Sequence, residues 1–463
     1  MSKALESFFD SSFFRQLSKG NEKIYLVLLS LYISTFLLPR IYWTKSVAGT
    51  MGYVRIAVMS LVIWGAALYL FAFAADWKNL WKRTGALLLL AAVVFGSAGI
   101  FSRFMTFRAY NVVMDAYFCL FACGKKFRNM VKCGFGTVTG MLLVSGIGEL
   151  AGITAERPKP ERAVAGLSLG TIYPNTWAYL VFLAAMLLWS LMLRRPGKTG
   201  HRTESTAEGE AENSAGQSAE PAIQPSAART IALTFAAFWG LAAVILVIST
   251  SRTIAALCVL FPVAGILALL QTKRQASVPV TGQEAEEETI QGRQDPSGLN
   301  ADKLTPGVLT PGAWLWILLP FLCFGFTMLL CLRMDWVHDT FYYTFFHTMA
   351  MRFVEGGNIL RMNGIPLIGH GFELDPTRAS LYAEEMEYIV DNTYVSYIIL
   401  RGALWMALCL CWLAAAHAKA LKNGDWPLLA VSAAILVFGL MERPGLDLWY
   451  NLVLLYPLAR YSQ

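Results

Sequence analysis

The sequence predicts an all-α polytopic membrane protein with about 12 transmembrane helices, both termini inside and one long external loop before the third-last span. Three observations predict this fold class. Hydrophobic residues make up 56% of the 463 residues and charged residues only 15%, whereas a soluble protein carries about 25% charged residues. Many apolar runs approach the length of roughly 20 residues that crosses a bilayer. Finally, the basic residues are distributed unevenly among the loops between these runs.

Twelve apolar windows are recognisable, and each is predicted to form one span. The segment before the first window is polar and mixed, so no cleavable signal peptide is expected and the first window serves as a signal-anchor. The fourth window is short and contains Asp115, which makes it the weakest of the set. The windows are 23–42, 53–75, 85–101, 109–123, 131–153, 173–193, 229–249, 253–271, 312–333, 392–417, 426–441 and 446–460.

These windows divide the chain into groups of spans separated by polar segments. Two polar insertions are rich in Ala, Ser, Glu, Gln, Gly and Pro, a composition that predicts disordered cytoplasmic segments. The long polar stretch before the third-last span is instead rich in aromatic residues, arginine and histidine, and we expect it to contain an interfacial helix around 338–355. The predicted divisions are 1–22 (cytoplasmic), 23–194 (spans 1–6), 195–228 (insertion), 229–271 (spans 7–8), 272–310 (insertion), 311–333 (span 9), 334–391 (external loop, expected to hold catalytic residues) and 392–463 (spans 10–12).

The orientation follows from the lysines and arginines. With the N-terminus inside, 23 of the 38 basic residues lie in the cytoplasm and 15 outside, as the positive-inside rule requires. The inner set has 13 Lys and 10 Arg, whereas the outer set has 2 Lys and 13 Arg. The outer arginines are Arg40, Arg55, Arg103, Arg108, Arg157, Arg162, Arg252, Arg333, Arg352, Arg361, Arg378, Arg401 and Arg443.

This excess of external arginine indicates a site for an anion. A guanidinium offers a planar fork that binds two phosphate oxygens at once, which an ammonium does not. The alternative is that the arginines anchor helix ends or form local pairs such as Arg352 with Glu355. Anchoring suits lysine equally well, so the set as a whole favours phosphate or pyrophosphate on a lipid. Arg401 lies within a span, where a charge is costly and is functional by default.

Several short motifs follow one another between residues 150 and 455. Ser168-Leu169-Gly170 leads to Pro174-Asn175, and Ser251-Arg252 forms the next outer turn. The long loop contains Ile368-Gly369-His370-Gly371-Phe372, after which Asp391-Asn392-Thr393-Tyr394 re-enters the membrane ahead of Arg401-Gly402. Glu442 precedes the last window, which contains Asn451. Because these motifs occur in this order along the chain, the sequence resembles the Wzy-type polysaccharide polymerases, and more loosely the O-antigen ligases of the same superfamily.

The resemblance implies an external cleft that binds sugar linked to undecaprenyl diphosphate, and catalysis with neither metal nor cofactor. It also implies that a histidine of the external loop is the general base, and the choices are His370, His338 and His347. The implied catalytic residues are His370, His338, Arg352 and Arg252, and the implied substrate-binding residues are Arg162, Arg361, Asn175, Arg401, Asp391, Asn392, Tyr394, Glu442 and Arg443.

Each motif also has a purely structural interpretation. Pro174-Asn175 is a normal helix start, and Asp391-Asn392 is an ordinary N-cap. His370 between glycines suits a surface loop, and Glu442 suits an ion pair with an arginine.

The predicted function is a polysaccharide polymerase of the bacterial cytoplasmic (inner) membrane. It transfers a growing glycan from undecaprenyl diphosphate onto a lipid-linked repeat unit at the outer face. The expected partners are undecaprenyl-diphosphate-linked oligosaccharide and membrane lipid, with a chain-length regulator and a flippase as further candidates and no nucleic acid. The alternatives are an O-antigen-ligase-like glycan transferase, a transporter or flippase of lipid-linked sugar, and a structural scaffold.

Overall fold

The computed structural model describes residues 21–74, 108–154, 169, 171, 174–193, 225–249, 251–276, 310–341, 347–367, 369 and 392–461. Within these ranges the regular structure is helical, joined by isolated β-bridges. The α-helices are α1 (Glu22–Leu37), α2 (Lys45–Ala74), α3 (Arg108–Phe121), α4 (Phe127–Leu150), α5 (Pro174–Leu193), α6 (Pro225–Ile248), α7 (Arg252–Ala276), α8 (Pro311–Leu332), α9 (Met334–Phe341), α10 (His347–Asn363), α11 (Thr393–Lys422) and α12 (Trp426–Phe438).

Seven of the described helices are long and apolar enough to cross a membrane, which confirms the polytopic helical class. They are α1, α2, α4, α5, α7, α8 and α11. The apolar part of α6 and the whole of α12 are shorter than a full span, and α3 has 14 residues. The window 85–101 and almost all of both polar insertions lie outside the described residues. The count of 12 spans therefore stays a prediction.

The last apolar window, 446–460, is not the α-helix that the sequence predicts. It contains only short 3-10 turns, Arg443–Leu446 and Leu452–Leu455, and nearly all its side chains are buried inside the bundle. Non-helical backbone is tolerated at membrane depth when protein surrounds it. This segment is apolar because it fills the core rather than because it faces lipid, and an apolar run alone does not distinguish the two situations.

Elements distant in the sequence meet at two ends of the bundle. At the first end, called the Asn392 end, the turn after α1 bridges to Thr154 and Thr171, and the start of α11 bonds to the turn after α12. At the second, called the Arg460 end, the α3–α4 turn pairs with the end of the chain through Lys125 and Arg460. The core runs between them, with α7 packed on α6 and α12, and α8 on α11. Which end faces outward stays a prediction.

The described part of the predicted external loop forms two helices, α9 and α10, in place of one helix around 338–355. Both pack against α8, and α10 approaches it closely at Gly357. A β-carbon at residue 357 would lie 2.4 Å from the carbonyl oxygen of Cys331, so glycine is required there. This contact fixes the height at which α10 crosses the bundle and therefore the position of Arg352, five residues earlier in the same helix.

Candidate functional site

The start of α11 is fastened to the turn that follows α12. Asn392 caps the helix, its Oδ1 accepting from two N–H groups of the first turn, while its Nδ2 donates to the Leu440 carbonyl at 2.8 Å. The Thr393 hydroxyl donates to the Glu442 carbonyl at 2.5 Å and accepts from Gly445 N–H at 3.0 Å. Both side chains are fully buried. The motif 392–393 therefore places the backbone of Glu442 at the Asn392 end.

Arg352 and Glu442 form an ion pair next to the hydrogen bonds that join Asn392 and Thr393 to the turn after α12. Their Nη2 and Oε1 atoms are 3.5 Å apart, and their side chains are 12% and 13% exposed. The pair joins α10 of the predicted external loop to the turn after α12. Because both side chains keep some exposure, the pair lies at the edge of the bundle.

A second arginine at the same end has aromatic partners. Arg40 donates from Nε to the Tyr179 hydroxyl at 2.7 Å and from Nη1 to the Phe36 carbonyl at 2.5 Å. Its guanidinium carbon lies 4.1 Å from the ring centre of Trp449, a cation–π arrangement. Tyr179 in turn packs edge-on against Tyr450, with 5.8 Å between ring centres.

Arg401 occupies a buried ion cluster inside the bundle. Its Nη1 is 3.2 Å from Asp115 Oδ2, and its Nη2 is 3.0 Å from Asp447 Oδ1. The Tyr32 hydroxyl donates to Asp115 at 2.6 Å, and the Tyr397 hydroxyl donates to Asp447. The guanidinium also lies over the Tyr397 ring at 4.3 Å. Arg401 was predicted to bind substrate, but its fork already binds two carboxylates.

Helix α11 is discontinuous beside this cluster. Gly402 has φ 90° and ψ 165°, a conformation open to glycine alone, and it interrupts the helix. The backbone N–H groups of Ala403 and Leu404 are bound by Pro366 O and Leu367 O, at 2.8 and 3.2 Å. We call Pro366, Leu367 and Gly369 the clasp. The clasp replaces hydrogen bonds that the break removes, and it ties the predicted external loop to α11.

The other predicted site residues are dispersed. Arg252 is exposed at the start of α7, and Asn175 is half-buried in the first turn of α5. Arg361 pairs with Asp335 at 2.8 Å on the surface, and the exposed His338 lies 3.1 Å from Asp339. Tyr394 is fully buried, its hydroxyl donating to Leu436 O at 2.9 Å. The structure describes only the backbone of Arg443 and His347, while Arg162, His370 and Asp391 lie outside the described residues.

Several buried polar atoms at or near the Asn392 end have no hydrogen-bond partner within the described part of the chain. They are Ser251 Oγ, Trp449 Nε1, Tyr450 OH and Asn451 Oδ1. Buried polar groups are normally satisfied by protein or water, so these atoms indicate places where water or a ligand group binds. Among the described residues no three His, Cys, Asp or Glu side chains are grouped to hold a metal ion.

Several residues of these networks were not predicted as site residues. Asp115 and Asp447 each carried a sequence signal, since each is an acid inside an apolar run. Arg40 belonged to the external arginine set but had no motif around it. Tyr179 and Trp449 carried no signal, because aromatic residues are common throughout such a chain.

Comparison of the chain with protein-family models, with curated proteins and with solved structures found no match.

Proposed function

We propose that the protein is a metal-independent membrane glycosyltransferase of the polysaccharide-polymerase type, acting on lipid-diphosphate-linked glycan at the Asn392 end. One observation carries the proposal: motif residues far apart in the sequence converge at this end. Arg352 reaches Glu442, 90 residues away, and the Asn392-Thr393 cap holds the same turn. A surface that gathers arginines from separate helices suits a diphosphate group.

The arginines would act on the leaving group. In the proposed step the acceptor hydroxyl oxygen forms a bond to the anomeric carbon of the growing glycan. The bond from that carbon to the diphosphate breaks, and the electron pair leaves with the undecaprenyl diphosphate. Arg252 is exposed at the start of α7, where such an anion can reach it, and Arg352 lies at the bundle edge. Guanidinium groups in these places would stabilise the charge that develops on the diphosphate.

The proton of the acceptor hydroxyl needs a general base. His338 suits this role because it is partly exposed on α9 and its Nδ1 lies 3.1 Å from Asp339, and a carboxylate beside a histidine orients the ring. His370 keeps its proposed role from the sequence. Glu442 is a weaker choice, since its carboxylate is already paired with Arg352.

A transporter or flippase of lipid-linked sugar is the second candidate. The break in α11 at Gly402 and the buried charges beside it favour this class, because discontinuous helices and buried ionisable groups are typical of transporter binding sites. The polymerase is preferred because Arg352 and Arg40 lie at the Asn392 end rather than around the break.

Deletion of the gene separates the candidates by the glycan that accumulates. Loss of a polymerase leaves single repeat units and removes the long ladder. Loss of a ligase leaves long chains on undecaprenyl diphosphate, and loss of a flippase leaves single repeats in the cytoplasmic leaflet. We expect the first pattern, restored by the wild-type gene but not by Arg252→Ala. Either of the other patterns would reject the polymerase.

A further inference from the structure

The N-terminus of α7 lies at the Asn392 end of the bundle. Helices α7 and α12 pack side by side, and a β-carbon at Gly265 of α7 would lie 3.7 Å from the Trp426 ring at the start of α12. Nearer the start of α7, Cys258 is close enough to Tyr450 for the two side chains to interact electrostatically. The Tyr450 ring stacks on Phe438 at the end of α12, with 4.9 Å between ring centres. The two helices are therefore antiparallel, and α7 begins beside the turn that follows α12.

Ser251 occupies the N-cap position of α7. Its carbonyl oxygen accepts the first backbone hydrogen bond of the helix, from Ala255 N–H at 3.1 Å. The first N–H groups of an α-helix have no partner within the helix, and a serine hydroxyl at the N-cap normally accepts from one of them. Among the described residues, however, Ser251 Oγ has no hydrogen-bond partner. The start of α7 therefore presents a hydroxyl and the N–H groups of its first turn together.

The Ser251 hydroxyl indicates that a further group binds here. Ser251 is only 3% exposed, and a buried hydroxyl without a hydrogen bond is costly. The next two residues are more accessible, since Arg252 is exposed and Thr253 is half-buried. A ligand can therefore approach the helix end from the surface and complete the hydrogen bonding of the serine.

The charge at this helix end favours an oxyanion. Aligned peptide dipoles place about half a positive charge at the N-terminus of a helix, and the first turn of α7 contains no acidic residue to complement it. Arg252 adds a full positive charge at the same position. Phosphate groups bind helix N-termini through this combination of N–H donors and dipole, and a phosphate oxygen also accepts from a serine hydroxyl.

We infer that the N-terminus of α7 is a phosphate-binding site, in which phosphate oxygens accept hydrogen bonds from the Ser251 hydroxyl and from the N–H groups of the first turn. The inference rests on the proposed function for the source of the phosphate, which is the lipid diphosphate. It adds Ser251 and the backbone of α7 to the arginines that bind the diphosphate there. A phospholipid headgroup offers the same chemistry from a different source.

Calorimetric titration of the purified protein with inorganic pyrophosphate tests the site, in a maltoside detergent that contains no phosphate. We expect saturable binding by the wild type. Ser251→Ala should weaken it by about tenfold, because a hydrogen bond to a charged group is lost. Ser251→Asp should abolish it, because the carboxylate caps the helix and repels the anion. The matched control is Thr310→Asp at the N-cap of α8, where the threonine hydroxyl accepts from Ala313 N–H, and it should bind as the wild type does.

Two results would overturn the site. One is the absence of saturable binding by the wild type, and the other is equal binding by the wild type and the Ser251 variants. Aspartate is a good N-cap residue, so Ser251→Asp should keep the melting temperature of the wild type. If it fails to fold, Ser251→Ala decides between the same results.

Competition with short-chain phosphatidylglycerol identifies the source of the phosphate. Both of its results support a phosphate site: pyrophosphate that stays bound indicates the diphosphate, and pyrophosphate that is displaced indicates a headgroup. The polymerase fails separately from the site. A wild type that binds pyrophosphate but forms no glycan rejects the polymerase and keeps the site. A wild type that forms glycan without binding pyrophosphate rejects only the site.

Discussion

Gly369 of the predicted external loop lies directly against the Leu400 carbonyl, at the point where α11 breaks. A β-carbon at residue 369 would be 2.0 Å from that oxygen and 2.5 Å from Arg401 N. Pro366 and its neighbour bind the N–H groups on the far side of the break. The loop and the broken helix are thus one structural unit, and the buried arginine lies within it.

Replacement of Gly369 by alanine should displace the clasp. The added methyl group has no space beside backbone atoms that do not move easily, and overpacking of this kind costs about 1–3 kcal/mol. We expect a lower melting temperature in detergent and reduced activity. The control is Gly325→Ala in α8, where the methyl group meets nothing within 4 Å. Equal melting temperatures for the two variants would show that the clasp does not need this close approach.

Removal of the Arg401 guanidinium should destabilise the protein far more than removal of an exposed arginine. Arg401→Gln leaves the buried side chains of Asp115 and Asp447 without their cation, and breaking a buried pair costs about 3–5 kcal/mol. Arg361→Gln breaks a pair whose side chains are 55% and 76% exposed, where about 0–1 kcal/mol is expected. Thermal unfolding of both variants measures the difference, and similar losses would contradict the account.

The helical membrane class was predictable because hydropathy responds directly to the cost of placing polar backbone and charge in lipid. The same measure failed for 446–460. Its buried residues, Trp449 and Tyr450 among them, are as apolar as a lipid-facing helix, yet the segment is irregular. Hydropathy records the removal of water, and the protein core removes water as completely as lipid does.

The candidate site was predictable in part. The motifs predicted Asn392 and Glu442 as substrate-binding residues, and both lie at one end of the bundle, but Asn392 is buried in a helix cap. The partners of Arg401 were not predictable, because Asp115 and Asp447 lie in different apolar runs. Local patterns report secondary structure and caps, and the pairing of distant charges depends on tertiary packing.

The predicted orientation has a direct test by cysteine labelling. In a cysteine-less background, a cysteine at Glu373 should react with an impermeant maleimide added outside intact cells. A cysteine at Ser218 should react only after the membrane is permeabilised. The reverse result would invert the topology, and it would place the Asn392 end and its arginines on the cytoplasmic side.

Lysine substitutions test whether the arginines act as bidentate forks. If Arg252 and Arg352 grip a diphosphate, lysine should lower polymer output nearly as much as alanine, by about 100-fold, because the fork is lost although the charge remains. Arg333→Lys is the matched control, an exposed arginine that follows α8. Polymer length and membrane abundance are measured together. Wild-type output from both lysine variants at normal abundance would reduce these residues to simple positive charges.

The most direct measurement is polymer formation by the purified protein. Liposomes that contain it and a synthetic undecaprenyl-diphosphate repeat unit, with EDTA and without nucleotide, should produce a ladder of glycan lengths on a gel. The ladder should disappear with Arg252→Ala and persist with Arg333→Ala. Translocation of the same lipid across these liposomes, with no oligomers formed from any repeat unit tried, would contradict the polymerase and support the transporter.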